Sequence, residues 1–307
     1  MKAGIDFESG ARPLVEFHVT VRGAAHIRKE ADCQDFSRSV RFGRCAAAAV
    51  ADGHGDVRYF RSALGSRFAA EAALKAVREF VKREEPEGPG ENAEEKFAQL
   101  KKNIILNWNN RVAAHYGAHP FLERELAPLS ERRREKLRGG ELVETAYGTT
   151  LIAAAVTPTY WFGLQIGDGD CLVFSGDGTE TPVPKEEGLV GNVTTSLCEP
   201  DAFFSFHHAF GEGMPAAVVL STDGVRNSFS DGAHYRSFMG KVATEFSAGK
   251  KENTVAGLRE FLSEMTERGS GDDLSVAGVV VKRAAAAESG DGPDAIRLCA
   301  VRKEEVP

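Results

Sequence analysis

Short apolar runs that border an aspartate recur along this sequence. The runs CAAAAVA (residues 45–51) and AAVVLS (216–221) lead directly into Asp52-Gly53 and Thr222-Asp223-Gly224. A short apolar run bounded by turn residues is typical of a buried strand, and the loops at strand ends commonly carry function. Acidic side chains at strand ends converge when the strands share a sheet. The positions concerned are Asp35, Asp52, Asp168, Asp223 and Asp272.

Carboxylates gathered in this way repel one another and take up protons unless a cation of high charge density compensates them. Hard oxygen donors without a Cys/His cluster indicate Mg²⁺ or Mn²⁺ rather than Zn²⁺. The glycines after Asp52 and Asp223 permit tight turns and let a backbone carbonyl approach an ion. Taken alone, an Asp-Gly pair is more often only a turn.

Composition narrows the class of protein. The chain has 307 residues, 42% of them hydrophobic, which suffices for one large domain or two small ones. No repeat or linker divides it, so we predict one domain over residues 1–284 and a loosely attached tail over 285–307. The formal net charge of -7 argues against nucleic acid as the main partner.

Cysteine usage and hydropathy bear on location. The five cysteines are odd in number and widely spaced, which favours a reducing cytoplasm over a disulfide framework. No apolar run approaches the roughly 20 residues that span a bilayer, and the opening MKAGIDFESG lacks the apolar segment of a signal peptide. We therefore expect a cytoplasmic protein that does not act at a membrane.

Periodicity predicts mixed secondary structure. Apolar residues three or four apart indicate helices over 57–81 and 97–112, and a further helix is predicted over 252–268. Charge-dense segments between 82 and 95 and between 123 and 144 indicate solvated connectors or exposed helix. Residues 176–213 are predicted to be irregular. Strands are predicted at 14–21, 45–51, 148–156, 160–166, 171–175, 216–221 and 274–282, with the three in the middle of the chain as successive antiparallel neighbours.

The ordered motifs GAAH, CQD, VADGHGD, GTTL, GDGDC, STDGV and GDDLSV resemble those of the protein phosphatase 2C family. The resemblance runs from about Val19 to Lys282 and looks like that of a bacterial member. It implies an α+β fold, a four-layer α-β-β-α sandwich in which two antiparallel sheets pack face to face with helices outside.

The resemblance also implies site roles. Asp52 bridges two divalent cations, Mg²⁺ or Mn²⁺, Gly53 offers its carbonyl, and Asp35 acts through bound water. Asp223 and Asp272 complete the first ion's shell. In the family a hydroxide held between the two ions attacks phosphorus in line, without a phosphoenzyme. Metal binding lowers the pKa of water toward ~7.

Several positions leave alternatives open. Asp168 matches a family aspartate at a third, weaker metal site, although an acidic hairpin turn explains it equally simply. His54 matches the group that protonates the departing oxygen, a task suited to histidine, or is a loop histidine without a role. For the phosphate, His26 donates if protonated, Arg28 reaches in, or His26 caps a strand.

The chain departs from the family pattern at three further places. Gln34 stands where relatives often carry a glutamate, which suggests weaker metal binding at the second ion. Asn227 replaces a further aspartate of relatives, and Asp273 replaces their asparagine. None of these changes removes a carboxylate that the resemblance assigns directly to the metals.

The function predicted is metal-dependent hydrolysis of phosphoserine and phosphothreonine in proteins, by a monomer that opposes a cognate kinase. The alternative is a catalytically weak or silent phosphatase-like module that binds a phosphoprotein or partner. An aspartyl-nucleophile loop, a tyrosine-phosphatase Cys-Arg loop, a GxSxG elbow and a Walker loop are all missing from the sequence. A structural protein with solvated acidic turns does not account for the ordered motifs.

Overall fold

Two five-stranded antiparallel sheets make up the centre of the computed structural model, which describes residues 13–176, 178–185 and 194–283. The strands are β1 (Leu14–Val21), β2 (Phe36–Phe42), β3 (Cys45–Ala51), β4 (Leu151–Val156), β5 (Tyr160–Ile166), β6 (Asp170–Ser175), β7 (Gly178–Glu180), β8 (His207–Glu212), β9 (Ala217–Ser221) and β10 (Leu274–Val281). One sheet has the order β1-β10-β9-β6-β7 and the other the order β2-β3-β4-β5-β8.

Helices cover the outer faces of both sheets. The α-helices of the described residues are α1 (Ala24–Arg28), α2 (Ser62–Glu84), α3 (Ala93–Ala118), α4 (Glu123–Leu126), α5 (Glu131–Arg138), α6 (Asp223–Asn227), α7 (Gly232–Ala248) and α8 (Lys251–Arg268). Helices α2 and α3 pack on one sheet, and α7 and α8 pack on the other. Three short 3-10 helices lie at Val57–Tyr59, Gly90–Asn92 and Glu144–Tyr147.

Alternation along the strands divides the interior into layers, because successive side chains of a strand point to opposite faces. In β3, Ala46, Ala48 and Val50 belong to the core between the sheets, whereas Ala47 and Ala49 belong to the core shared with α2 and α3. A strand buried on both faces is continuously apolar, which explains the run CAAAAVA.

The other sheet follows the same rule. Leu220 of β9 and Val279 of β10 face the core between the sheets, whereas Val219 and Val276 pack with residues of α7 and α8. The order of layers is therefore helix, sheet, sheet, helix, and the predicted α-β-β-α sandwich is confirmed.

The first long helix begins later than its periodicity predicts. Residues Val57–Tyr59 form a 3-10 turn that is capped by the Asp56 side chain, which accepts from the backbone N–H of Arg58. Helix α2 then starts at Ser62 and continues to Glu84. The predicted helices at 97–112 and 252–268 lie within α3 and α8, and part of the charge-dense 123–144 segment forms α4 and α5.

Several strands and one helix differ from the predictions made from the sequence. Strand β6 does not pair with β5 but lies in the other sheet between β9 and β7, where its Cys171 and Val173 face the core between the sheets. The segment predicted to be irregular contains β7 and β8, whose sequences GTE and HHAFGE lack an apolar run. Strand β2 and helix α7 were not predicted. The tail at 285–307 lies outside the described residues.

Helix α2 approaches the polypeptide near Tyr147 very closely. A Cβ atom on Gly65 would lie 1.8 Å from the carbonyl oxygen of Tyr147, so no side chain fits there. The indole N–H of the fully buried Trp108 donates to the Gly65 carbonyl over 3.0 Å. The close approach of Gly65 to Tyr147 fixes the backbone that continues from Tyr147 into Thr149 and Thr150.

We predict that Gly65→Ala lowers the free energy of unfolding by about 2–3 kcal/mol, because the added methyl group overpacks backbone against backbone. Gly117→Ala in α3 is the matched control, since a Cβ there meets no atom within 4 Å. Its stability should be unchanged or raised by up to about 1 kcal/mol. Urea unfolding followed by circular dichroism measures both, and equal stabilities of the two variants would contradict the close packing.

Candidate active site

The predicted acidic residues lie at one end of the β-sandwich. Asp35 directly precedes β2 and Asp52 directly follows β3, and in the antiparallel register Phe36 pairs with Ala51. The two aspartates are therefore neighbours across a strand pair.

The other sheet brings its aspartates to the same end. Asp223 opens α6 just after β9, and Asp272 lies just before β10. Ser221 at the end of β9 pairs with Val276 of β10 and with Asp170 of β6. The turn that carries Asp168 precedes β6 and so joins this group.

Electrostatic coupling shows that the carboxyl groups are close in space. Burial raises the pKa of Asp52 well above its usual value, and the carboxylates of Asp35 and Asp223 raise it further. Burial also raises the pKa of Asp35, with Asp273 as the next cause. The pKa of Asp168 is raised by burial and then by Asp223. Asp272 is exposed at the rim and adds its charge to that felt by Asp52.

The backbone at Asp52 and Gly53 is held rigidly. The carbonyl oxygen of Asp52 accepts from the Thr150 N–H and the Thr149 hydroxyl, both over 2.8 Å. The N–H of Gly53 donates to the Gln34 carbonyl over 3.1 Å. A Cβ on Gly53 would lie 2.7 Å from that same oxygen, so this position requires glycine.

Two neighbouring polar groups orient the carboxylates. The hydroxyl of Thr222 donates to Oδ2 of the buried Asp35 over 2.7 Å. The side-chain amide of Asn227 donates to Oδ2 of Asp223 over 2.9 Å. Asn227, which replaces an aspartate of relatives, thus holds a carboxylate by a hydrogen bond. Sequence reasoning missed the role of Thr222, for which its place directly before Asp223 is the available signal.

Asp273 connects several backbone segments that surround the site. Its buried carboxylate accepts from the backbone N–H groups of Gly23 and Gln34, each over 2.6 Å, and from that of Asp35 over 3.4 Å. In the sequence, Asp273 is recognisable only as a replacement for an asparagine of relatives. The structure shows that it ties the chain around α1 and the start of β2 to the start of β10.

His26 lies against this buried carboxylate. Its Nδ1 is 2.9 Å from Oδ1 of Asp273, an ion-pair distance, although the direction of the contact does not meet hydrogen-bond geometry. Arg28 is exposed, and its Nη2 lies 3.8 Å from where a Cβ on Gly271 would be, next to Asp272. Both residues are thus at the rim of the acidic group, and their role toward phosphate stays a prediction.

His54 is packed at the edge of the carboxylates. Its backbone N–H donates to the Gly148 carbonyl over 3.2 Å, and its ring centroid lies 4.6 Å from that of Tyr59. Burial lowers the pKa of His54 to about 4, with Asp168 acting in the opposite direction. The imidazole is therefore neutral near pH 7 in this arrangement, and its predicted role as a proton donor stays a prediction.

The donor chemistry fits a hard divalent cation. Carboxylate oxygens, together with backbone carbonyls in the adjacent turns, are the ligands that Mg²⁺ and Mn²⁺ prefer. The pKa values of Asp35 and Asp52 are raised by burial first and then by neighbouring carboxylates. Within residues 13–176, 178–185 and 194–283, no three or more His, Cys, Asp or Glu side chains are already arranged as a metal-binding cluster. The metal-ligand assignments therefore stay predictions.

Comparison with known families agrees with this geometry. Residues 22–263 match the sequence pattern of the family described as protein phosphatase 2C. The chain belongs to the protein phosphatase 2C family. The membership confirms the predicted family and the predicted enzyme class, a protein serine/threonine phosphatase. A comparison with curated protein sequences finds no match.

Solved structures of bacterial phosphatases share the fold. The serine/threonine phosphatase Stp1 from Staphylococcus aureus is 14% identical with a TM-score of 0.53, and the alignment covers 92% of this chain and 100% of Stp1. The catalytic domain of the phosphatase PstP in complex with two manganese ions is 19% identical with a TM-score of 0.52, covering 88% of this chain and 99% of that domain. The serine/threonine phosphatase PstP from Mycobacterium tuberculosis is 15% identical with a TM-score of 0.51, and the alignment covers 88% of this chain and 99% of PstP.

The helices of this protein phosphatase 2C member were compared with the requirements for a membrane span. Among the helices in the described part of the chain, none combines the length and the apolar character that crossing a membrane requires.

We predict that Asp52→Asn raises the melting temperature of the metal-free protein near pH 8 by roughly 2–4 °C. The folded pKa of Asp52 is raised, so the folded state binds more protons than the unfolded chain above the unfolded value of about 4. The stability contributed by the protonated group is present below that value and is lost as the pH rises through the folded pKa. Removing the charge relieves this loss.

The gain should shrink at about pH 5, where Asp52 retains more of its proton. Glu260→Gln, on the exposed face of α8, is the control and should leave the melting temperature unchanged at both values of pH. Differential scanning fluorimetry in EDTA provides the measurement. A fall in melting temperature for Asp52→Asn near pH 8 would show that the carboxylates do not repel one another in the folded protein.

Proposed function

We propose that the protein hydrolyses phosphoserine and phosphothreonine in protein substrates with the help of two divalent cations. The observation that supports this most directly is the carboxyl group of Asp52, whose raised pKa reflects burial together with Asp35, Asp223 and Asp272. A module that only binds protein has no need to bring Asp52 and Asp35 together in this way, because burying unpaired charge is unfavourable.

The residues that would hold the cations are Asp52 as the shared ligand, the Gly53 carbonyl, Asp223 and Asp272, with Asp35 acting through water and Asp168 at a third, weaker site. When bound, the cations supply neutralisation of the phosphate charge and water of lowered pKa for direct attack at phosphorus. The complex of the PstP domain with two manganese ions supports the same number here. Both Mg²⁺ and Mn²⁺ suit this set of oxygen donors.

The protein's own side chains orient the carboxylates and offer donors to the substrate phosphate. Thr222 and Asn227 keep the carboxylates of Asp35 and Asp223 in fixed orientations, which preorganises the site before a substrate arrives. His26 and Arg28 at the rim offer donors to the phosphate oxygens. His54 sits beside Asp168 and Tyr59, where a dianionic phosphate would favour its protonated form.

Further parts of the proposal concern partners. A phosphatase of this class acts on phosphorylated proteins, and we propose a cognate kinase as its counterpart. The monomeric state and the cytoplasmic location remain predictions from the sequence.

We predict hydrolysis of a phosphothreonine peptide and of p-nitrophenyl phosphate with Mn²⁺ or Mg²⁺ and none in EDTA. Asp52→Asn and Asp223→Asn should each lower turnover on the order of 10³-fold, because an ion that contributes several kcal/mol to the transition state is lost or displaced. Glu260→Gln serves as the control. Robust turnover in EDTA, or unimpaired aspartate variants, would disprove the two-metal mechanism. Folded protein without turnover in any metal would favour the silent binding module.

A separate prediction addresses His54. His54→Gln should slow hydrolysis of the phosphothreonine peptide by about 10²-fold, because an alkoxide leaves poorly without a proton, the usual size of a general-acid contribution. Turnover of p-nitrophenyl phosphate, whose leaving group departs without protonation, should change little. The comparison of kcat for the two substrates measures the role. An equal loss with both substrates would indicate that His54 only supports the local structure.

A further inference from the structure

Asp170 is a buried acid next to the Asp168 turn to which the sequence assigned no role. Its side chain is 5% exposed, and its Oδ1 lies 2.6 Å from Nζ of Lys185. Its Oδ2 has no hydrogen-bond partner and lies 3.6 Å from Nη1 of Arg226. A nearby cation stabilises an ionised buried carboxylate, and removal of that cation leaves an uncompensated charge. Lys185 is therefore the main counter-ion of Asp170.

The same ammonium group also contacts the backbone of Asp168. Nζ of Lys185 donates to the Asp168 carbonyl oxygen over 3.1 Å as well as to the Asp170 carboxylate. One side chain thus fixes both ends of Asp168-Gly169-Asp170. Val183, two residues earlier, is buried in the core between the sheets, which anchors the segment that presents Lys185.

Neutral groups complete the support of this turn. The side-chain amide of Gln165 donates to the carbonyls of Gly167 and Gly169 over 3.2 Å and 2.7 Å, and the Gly167 N–H donates to the Thr195 hydroxyl over 2.9 Å. Among these three supporting side chains Lys185 is the charged one. Its contribution can therefore be removed or restored separately by changing charge.

Asp170 also connects the turn to the helix that carries Asp223. Arg226, which approaches Asp170, lies in α6, and α6 begins at Asp223. The Lys185–Asp170 pair thus contacts both the turn that carries Asp168 and the helix that carries Asp223.

We propose that Lys185, paired with Asp170, is a positioning residue that holds the Asp168 carboxylate beside Asp223 for binding of the weaker divalent cation. This inference rests on the proposed function. Residues that hold a metal ligand in place without touching the metal commonly contribute about 10- to 100-fold to metal affinity. A purely structural ion pair would contribute to stability alone.

The test measures Mn²⁺ binding to the full-length protein by isothermal titration calorimetry, together with the Mn²⁺ dependence of p-nitrophenyl phosphate turnover. Lys185→Met should weaken the weakest class of Mn²⁺ sites by about 10-fold and raise the Mn²⁺ concentration for half-maximal turnover, with kcat at saturating Mn²⁺ nearly preserved. Lys185→Arg should restore most of the affinity, because a donor and the charge are retained.

The matched control is Lys251→Met. Lys251 pairs with Glu16 over the same 2.6 Å and has a side-chain exposure of 39%, against 32% for Lys185. This variant should bind Mn²⁺ like the wild type. Asp170→Asn, which has the shape of the native side chain, should weaken Mn²⁺ binding as Lys185→Met does. Combining the two changes should add little to either alone, since they act through one contact.

Two results would overturn either the inference about Lys185 or the proposed function. Wild-type Mn²⁺ affinity in both Lys185→Met and Asp170→Asn, with a lowered melting temperature, would overturn the inference and leave a structural ion pair. A wild-type protein that binds no Mn²⁺ and hydrolyses neither substrate would instead overturn the proposed function. The two failures are thus distinguished by the behaviour of the wild type.

Discussion

Mutual repulsion among carboxyl groups at one end of the β-sandwich is the constraint that the surrounding structure has to satisfy. Burial raises the pKa of Asp52, and the charges of Asp35, Asp223 and Asp272 raise it further. Two of these acids, Asp35 and Asp223, accept hydrogen bonds from neutral side chains. A hydroxyl group orients Asp35 and a side-chain amide orients Asp223. The negative field is thereby kept for a cation.

Support from outside the acidic group is concentrated in a few strong contacts. The carboxylate of Asp273 receives backbone N–H groups from Gly23 and Gln34 and so joins segments that are far apart in the sequence. Charge-assisted hydrogen bonds of this kind are roughly twice as strong as neutral ones. A Cβ on Gly23 would lie 2.5 Å from the carbonyl carbon of Asp272, which shows how tightly the segments pack.

The loop of His54 depends on a second contact network. Arg61 is buried, donates to both carboxylate oxygens of Glu125 over 2.8 Å and 2.9 Å, and donates to the Tyr147 hydroxyl over 2.9 Å. Its backbone N–H bonds to the carbonyl of Ala146. Since the next residues include Gly148, which accepts from the backbone N–H of His54, this network fixes the part of the site that carries His54.

The sequence by itself determined the buried strands, the two long amphipathic helices and the motif order, because burial on both faces and one-sided burial leave distinct periodicities. It also placed Asp35, Asp52, Asp168, Asp223 and Asp272 at strand ends. Only the tertiary structure decided that β6 joins the sheet of β9, that β8 forms from HHAFGE, and that Asp273 and Lys185 support the site. These depend on contacts between distant segments, and a local pattern carries no record of which segments will meet.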